Sequence, residues 1–125
     1  EYPLFGVANK NFRHECHNKK YFDEKIKLSN VRCNTHPHQI HFELLSEHGI
    51  IGYIFFFVII FTGLKKIYHN YIATKSIFYL SSLLYLMIFL IPILPSGSFF
   101  STFNGTLFWI IFSIGNIKKT LLKTI

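Results

Sequence analysis

Six of the seven histidines, His14, His17, His36, His38, His41 and His48, fall within the first 48 residues, and four of them crowd into residues 36–48 just ahead of a long apolar run. Imidazole is the side chain that changes charge near neutral pH, so such a cluster suits proton transfer at a reacting hydroxyl; it also suits metal ligation. Three uses compete. Imidazoles can simply sit at headgroup depth, where side chains with a polar tip are favoured. Cys16-His17 and Cys33-x-x-His36 could together supply four metal ligands. The paired short spacings of zinc sites are missing, however, and a disulfide would consume both thiols, so no metal is expected. The third use is catalysis, with one histidine as general base.

Helical periodicity selects among these histidines. At about 100° per residue, His38, Leu45, Gly49, Gly52 and Phe56 fall near one line. Gly49 and Gly52 leave that stripe bare, so a second helix can pack its backbone closely beneath His38. His41 lies one turn from His38, at the flank of the same cavity. Glu47 is nine residues beyond His38 and points to the opposite side of a regular helix. His14 and His17 read as solvated loop residues.

The elements that must position these groups follow from the segregation of charge. All six acids, Glu1, Glu15, Asp23, Glu24, Glu43 and Glu47, lie in residues 1–47, where seven basic groups leave a balance of +1. Beyond them Lys65, Lys66, Lys75, Lys118, Lys119 and Lys123 carry +6 with no acid. These lysines flank apolar runs and do not cover one folded face, which argues against nucleic-acid binding. The class expected is an all-α integral membrane protein. The chain opens without a signal-peptide layout and reads as the C-terminal part of a longer multi-span protein.

Residues 1–47 form a polar loop that ends in the start of a helix. Gly6 and Asn9-Lys10-Asn11 signal turns. Cys16 and Cys33 can pair if the loop faces an oxidising compartment, and closing it would stabilise the loop by about 3 kcal/mol. The helix is expected to begin near His36, with Pro37 at its first position and Thr35 or His36 as cap. Residues 48–125 hold three expected spans, about 49–67, 76–94 and 99–117, followed by a basic tail. Lysines occupy the first connection and the tail but not the turn at 96–98, which places those two segments in the cytoplasm. Residues 1–47 and the turn then face outside.

The arrangement resembles the C-terminal part of the O-antigen ligase and O-antigen polymerase family of bacterial membrane glycosyltransferases. The family pattern is a His followed by Asn, Ser or Gln, nine residues, Gly, two residues, and Gly. Here it reads His38-Gln39, residues 40–48, Gly49, Ile50-Ile51, Gly52. Phe5-Gly6-Val7 and Asn11-Phe12-Arg13 resemble the entrance to the family's large periplasmic loop; Ala8 and Asn9 stand where related entrances carry Gly and Pro.

The resemblance implies a periplasmic loop followed by three transmembrane helices in the bacterial inner membrane, with the active site on the periplasmic face. It implies transfer of a polysaccharide from undecaprenyl pyrophosphate to a lipid A-core sugar hydroxyl, in lipopolysaccharide biosynthesis. The reaction would need no cofactor and would invert the anomeric centre. His38 would be the general base, and Arg13, His36, Gln39 and His41 would contact substrate. Most of the family's pyrophosphate-binding arginines lie upstream, so this chain alone is expected to be inactive. Polymerase and protein O-oligosaccharyltransferase activities share the same donor chemistry. A non-catalytic membrane subunit with an interfacial histidine cluster is the reading from another class. The topology has a direct check: a cysteine at Ser98 should react with an impermeant thiol reagent, and one at Asn70 should not. The opposite pattern would reverse the sidedness.

Overall fold

The computed structural model describes residues 2–18, 37–94 and 97–117. Every regular element among them is a helix: α1 (Phe12–Glu15), α2 (Ile40–Thr74), α3 (Ile77–Phe89) and α4 (Thr102–Gly115). Thr35, His36, Cys33 and the lysines at 118, 119 and 123 lie outside the described residues, and so does the expected Cys16–Cys33 pairing.

Among the described residues α2 alone is long and apolar enough to cross a membrane. It holds 35 residues with one non-helical position, Gly49; the stretch beyond it, residues 50–74, spans about 37 Å at 1.5 Å per residue, against about 30 Å of hydrocarbon. Its outer face leaves Phe55 66% and Phe61 72% exposed, a surface that suits lipid better than water. α2 also runs further than the first expected span. Lys65 and Lys66 therefore ride on the helix, and the connection to α3 shrinks to Lys75 and Ser76.

α3 and α4 are apolar but short, with 13 and 14 residues, about 20 Å each. The expected spans at 76–94 and 99–117 are thus helical only in part. α3 stops at Phe89 because Pro92 disfavours helical backbone in the residue before it. α4 starts at Thr102 because Ser101 takes the N-cap, its hydroxyl accepting the Asn104 N–H at 3.2 Å.

The start of α2 differs from the sequence expectation in a way that matters. The cap is Gln39, not Thr35 or His36: its backbone is extended, and its Oε1 accepts the Phe42 N–H at 2.9 Å. A side-chain acceptor for a free helical N–H fixes the boundary there. His38 therefore precedes the helix and shares no face with it.

A second break lies at Gly49, whose φ of 64° and ψ of −171° leave the helical region entirely. The helical line drawn from His38 to Phe56 is cut at both points. The close approach at Gly49 is made by residues 3–8, a strap running across the break, rather than by another helix. A Cβ at Gly49 would lie 2.4 Å from the Leu4 carbonyl oxygen, and one at Gly6 would lie 2.4 Å from that of Glu47. A Cβ at Gly52 would meet only its own helix, at His48 Cβ.

The core lies between the long helices. α3 packs against both α2 and α4, and Phe56 of α2 reaches Phe99 and Phe108 at ring separations of 5.4 and 6.2 Å. Phe89 joins the same group, 5.2 Å from Phe108. Ile60, Ile67, Tyr79 and Leu86 continue the core toward the other end. Gly115 allows α4 to press on Ile67 and Ser82 there.

The strap offers a paired test of backbone strain. Gly49→Ala should destabilise the fold by about 2 kcal/mol or more, from positive φ and lack of space together. Ala8, at φ 75°, bears the same strain without needing its methyl, so Ala8→Gly should stabilise by about 0.5–1 kcal/mol. Thermal midpoints in detergent micelles should move in opposite directions; shifts of one sign would disprove the strain assignment.

Candidate functional site

The break at Gly49 frees backbone groups on both sides of it, and the strap takes them up. Ser46 and Glu47 carbonyls accept the N–H groups of Val7 and Ala8, each at 2.9 Å. Beyond the break, Ile50 and Ile51 donate to the carbonyls of Pro3 and Leu4 at 2.9 and 3.2 Å. The helical turn before Gly49 is thereby sewn to the loop that carries Arg13.

The polar side chains of this turn are more enclosed than their types predict. Glu47 is 2% exposed and Glu43 only 1%. Glu43 accepts two hydrogen bonds from the connection ahead of α4: from Ser98 Oγ at 2.5 Å and from the Phe99 N–H at 2.6 Å. Glu47 Oε2 accepts the Lys10 N–H at 2.8 Å. Two acids one helical turn apart thus hold two different loops. Glu47, expected to point away as a bystander, anchors the strap. Glu43 had no role in the sequence reading; the available signal was a pair of acids at i and i+4 among apolar neighbours.

Burial pushes the Glu47 carboxyl above its ordinary value of 4.5. The Lys10 N–H opposes that shift, Glu43 adds to it, and His48 and Arg13 pull it back down. Arg13 is therefore within electrostatic reach of the break. Its Nε donates to the Lys10 carbonyl at 3.3 Å.

The histidines divide by environment. His38 is exposed in the bend before Gln39. His41 is fully engaged: Nε2 meets the Leu90 carbonyl at 2.9 Å and Nδ1 meets the Tyr53 hydroxyl at 2.9 Å. A carbonyl can only accept, so Nε2 carries the proton; in the neutral ring Nδ1 accepts from Tyr53. The His41 ring stacks on Phe57 at 5.2 Å. Gln39 is engaged as well, donating from Nε2 to the Pro92 carbonyl at 3.0 Å. Gln39 and His41, expected at the substrate, thus cap the end of α3.

His48 stands its ring edge-on to Phe100 at 4.9 Å. Its Nε2 is buried without a hydrogen-bond partner among the described residues. His14 and His17 are exposed near α1, and His17 Nδ1 bonds the Arg13 carbonyl at 2.6 Å. No three His, Cys, Asp or Glu side chains among the described residues converge as metal ligands. His36 and Cys33 lie outside that set. Because Ser98 is tied to Glu43, Ile93, 88% exposed, is the less encumbered labelling position in the same connection.

The described residues include an exposed imidazole before α2, an exposed guanidinium on α1, and a buried carboxylate on α2 that holds the Lys10 N–H. The pH response of the fold follows from Glu47. The folded chain holds this proton more tightly than the unfolded chain, so Glu47 favours the fold most when protonated. That contribution falls as pH rises from 4.5 through the raised value. Glu47→Gln should flatten this part of the stability profile, read from melts in micelles across the acidic range. An unchanged slope in the variant would assign it to another group. Comparison with protein-family models, with curated proteins and with solved structures finds no match for this chain.

Proposed function

We propose that the chain forms the periplasmic-side catalytic edge of an O-antigen ligase-type glycosyltransferase of the bacterial inner membrane. It would span the membrane three times, with residues 1–47 outside. What supports the reading is that the two stretches carrying the resemblance, 5–13 and 38–52, are hydrogen-bonded to each other across the break at Gly49. Gly6 and Gly49 both sit at positive φ where the backbones touch, which gives these two glycines a physical reason.

In this reading the acceptor sugar hydroxyl loses its proton to His38 as its oxygen bonds the anomeric carbon of the donor. The bond from that carbon to the pyrophosphate oxygen breaks, and undecaprenyl pyrophosphate leaves with the electron pair. An imidazole is a suitable general base for a hydroxyl proton. Pyrophosphate already leaves well, so the protein needs a base and positive charge at the phosphates. Arg13 supplies one such charge. A donor held by its lipid tail explains why these groups gather at the start of a membrane-length helix.

The commitment of Gln39, His41, Glu43 and Glu47 to internal hydrogen bonds favours a second reading, a non-catalytic membrane subunit. The two differ at His38. In a full-length protein His38→Ala should lower transfer of glycan to lipid A-core by about 10²-fold or more at unchanged expression, while His14→Ala should transfer normally. Normal smooth lipopolysaccharide in the His38 variant would remove the catalytic reading.

A further inference from the structure

Glu47 and Arg13 belong to different elements, yet the backbone of one residue, Lys10, joins them. Glu47 is 2% exposed, and its carboxylate accepts the N–H of Lys10. The carbonyl of that same Lys10 accepts the Nε–H of Arg13. Lys10 is itself held at φ 59°, a left-handed conformation unfavourable for a residue with a side chain. The buried carboxylate holds the peptide on the N-terminal side of this residue, and the left-handed backbone of Lys10 then directs the next carbonyl to Arg13.

With Nε spent on Lys10, the Arg13 guanidinium keeps both terminal nitrogens for other work. Neither bonds a described residue, and the side chain is exposed. Two parallel N–H groups in this fork match two oxygens of a phosphoryl group. The carboxylate itself does not face the ligand. Its electrostatic reach to Arg13 agrees with the short path through Lys10.

We propose that Glu47 is a positioning residue which, through the backbone of Lys10, sets the Arg13 guanidinium as a fork for a phosphoryl oxyanion. For the identity of that anion as a pyrophosphate ester, the inference rests on the transferase reading above. Glu47 serves here as an acceptor at a set reach, so its charge is dispensable and its length is not.

The test titrates the 125-residue chain, in neutral-detergent micelles, with inorganic pyrophosphate by calorimetry. Wild type should bind saturably, and Arg13→Ala should weaken binding about tenfold or more, as loss of a bidentate charge-assisted contact predicts. Glu47→Asp, which keeps charge but loses reach, should weaken it similarly, and the double variant should bind no worse than either single one. Glu47→Gln, which keeps reach but loses charge, should bind within about twofold of wild type. Polyprenyl pyrophosphate added to the micelles should displace the inorganic ion, whereas polyprenol should not. Absence of saturable binding, additive losses, displacement by polyprenol, or an Asp variant that binds normally beside a Gln variant that does not would each overturn the proposal. Coupled pyrophosphate binding in a chain whose full-length version transfers no glycan would remove the transferase and keep the fork. Transfer at wild-type donor KM in Glu47→Asp would do the reverse.

Discussion

A helix interrupted among apolar surroundings must find partners for the backbone groups the interruption frees, since each one left bare costs several kcal/mol in hydrocarbon. At Gly49 two carbonyls and two N–H groups find theirs in one strap, residues 3–8. The break and the strap are therefore one unit. Without the strap the turn at 46–51 would return to regular helix, which glycine permits; without the break the strap would have no edge to pair with. Gly6 and Gly49 face each other across this joint, each with the other segment's backbone where a Cβ would go. The position of Glu47 follows from this joint, and the approach of residues 10–13 depends on it.

The first turns of α2 extend the same logic to side chains. Gln39 and His41 satisfy carbonyls at the end of α3, Glu43 satisfies donors ahead of α4, and Glu47 satisfies the strap. These four polar residues thus fix three neighbouring segments. Burying a carboxylate is tolerable only where donors replace water. Glu43 has two such donors and Glu47 one, and at Glu47 burial accordingly outweighs the hydrogen bond in setting its proton affinity. The less compensated carboxylate is also within electrostatic reach of the exposed Arg13, which ties the titration of the turn to the loop it holds.

Much of the coarse plan was legible in the chain. The separation of acids from lysines and the uncharged runs beyond Gly49 announced apolar helices, and the absence of strands among the described residues agrees with that. Of the two glycines expected beneath a second helix, Gly49 is a place of close approach, but to the strap, and a Cβ at Gly52 would meet only its own helix. A stripe drawn at 3.6 residues per turn assumes an unbroken helix, whereas a positive φ at Gly49 depends on hydrogen bonds to residues more than forty positions away. His38 fell off the helix for a local reason: Gln39 outcompeted Thr35 and His36 as cap by reaching the Phe42 N–H. The burial of Glu43 and Glu47 could not be read from residue type, because acids are seldom enclosed unless donors from elsewhere meet them.

These contacts also order the two ends of the molecule. The Glu43–Ser98 hydrogen bond brings the start of α2 to the connection between α3 and α4. At the far side the Tyr79 hydroxyl donates to the Ile117 carbonyl at 3.0 Å, so the start of α3 meets the end of α4. Lys75 lies in that far connection, with its ammonium 5.6 Å over the Tyr71 ring. One end therefore gathers Glu43, Glu47, His41 and the strap beside Lys10 and Arg13, and the other holds Lys75 with no acid among the described residues. Two ends so different in charge would settle differently in a bilayer whose cytoplasmic face is negative. The backbone groups that stitch the break thus lie at the opposite end of the helices from the connection that carries Lys75.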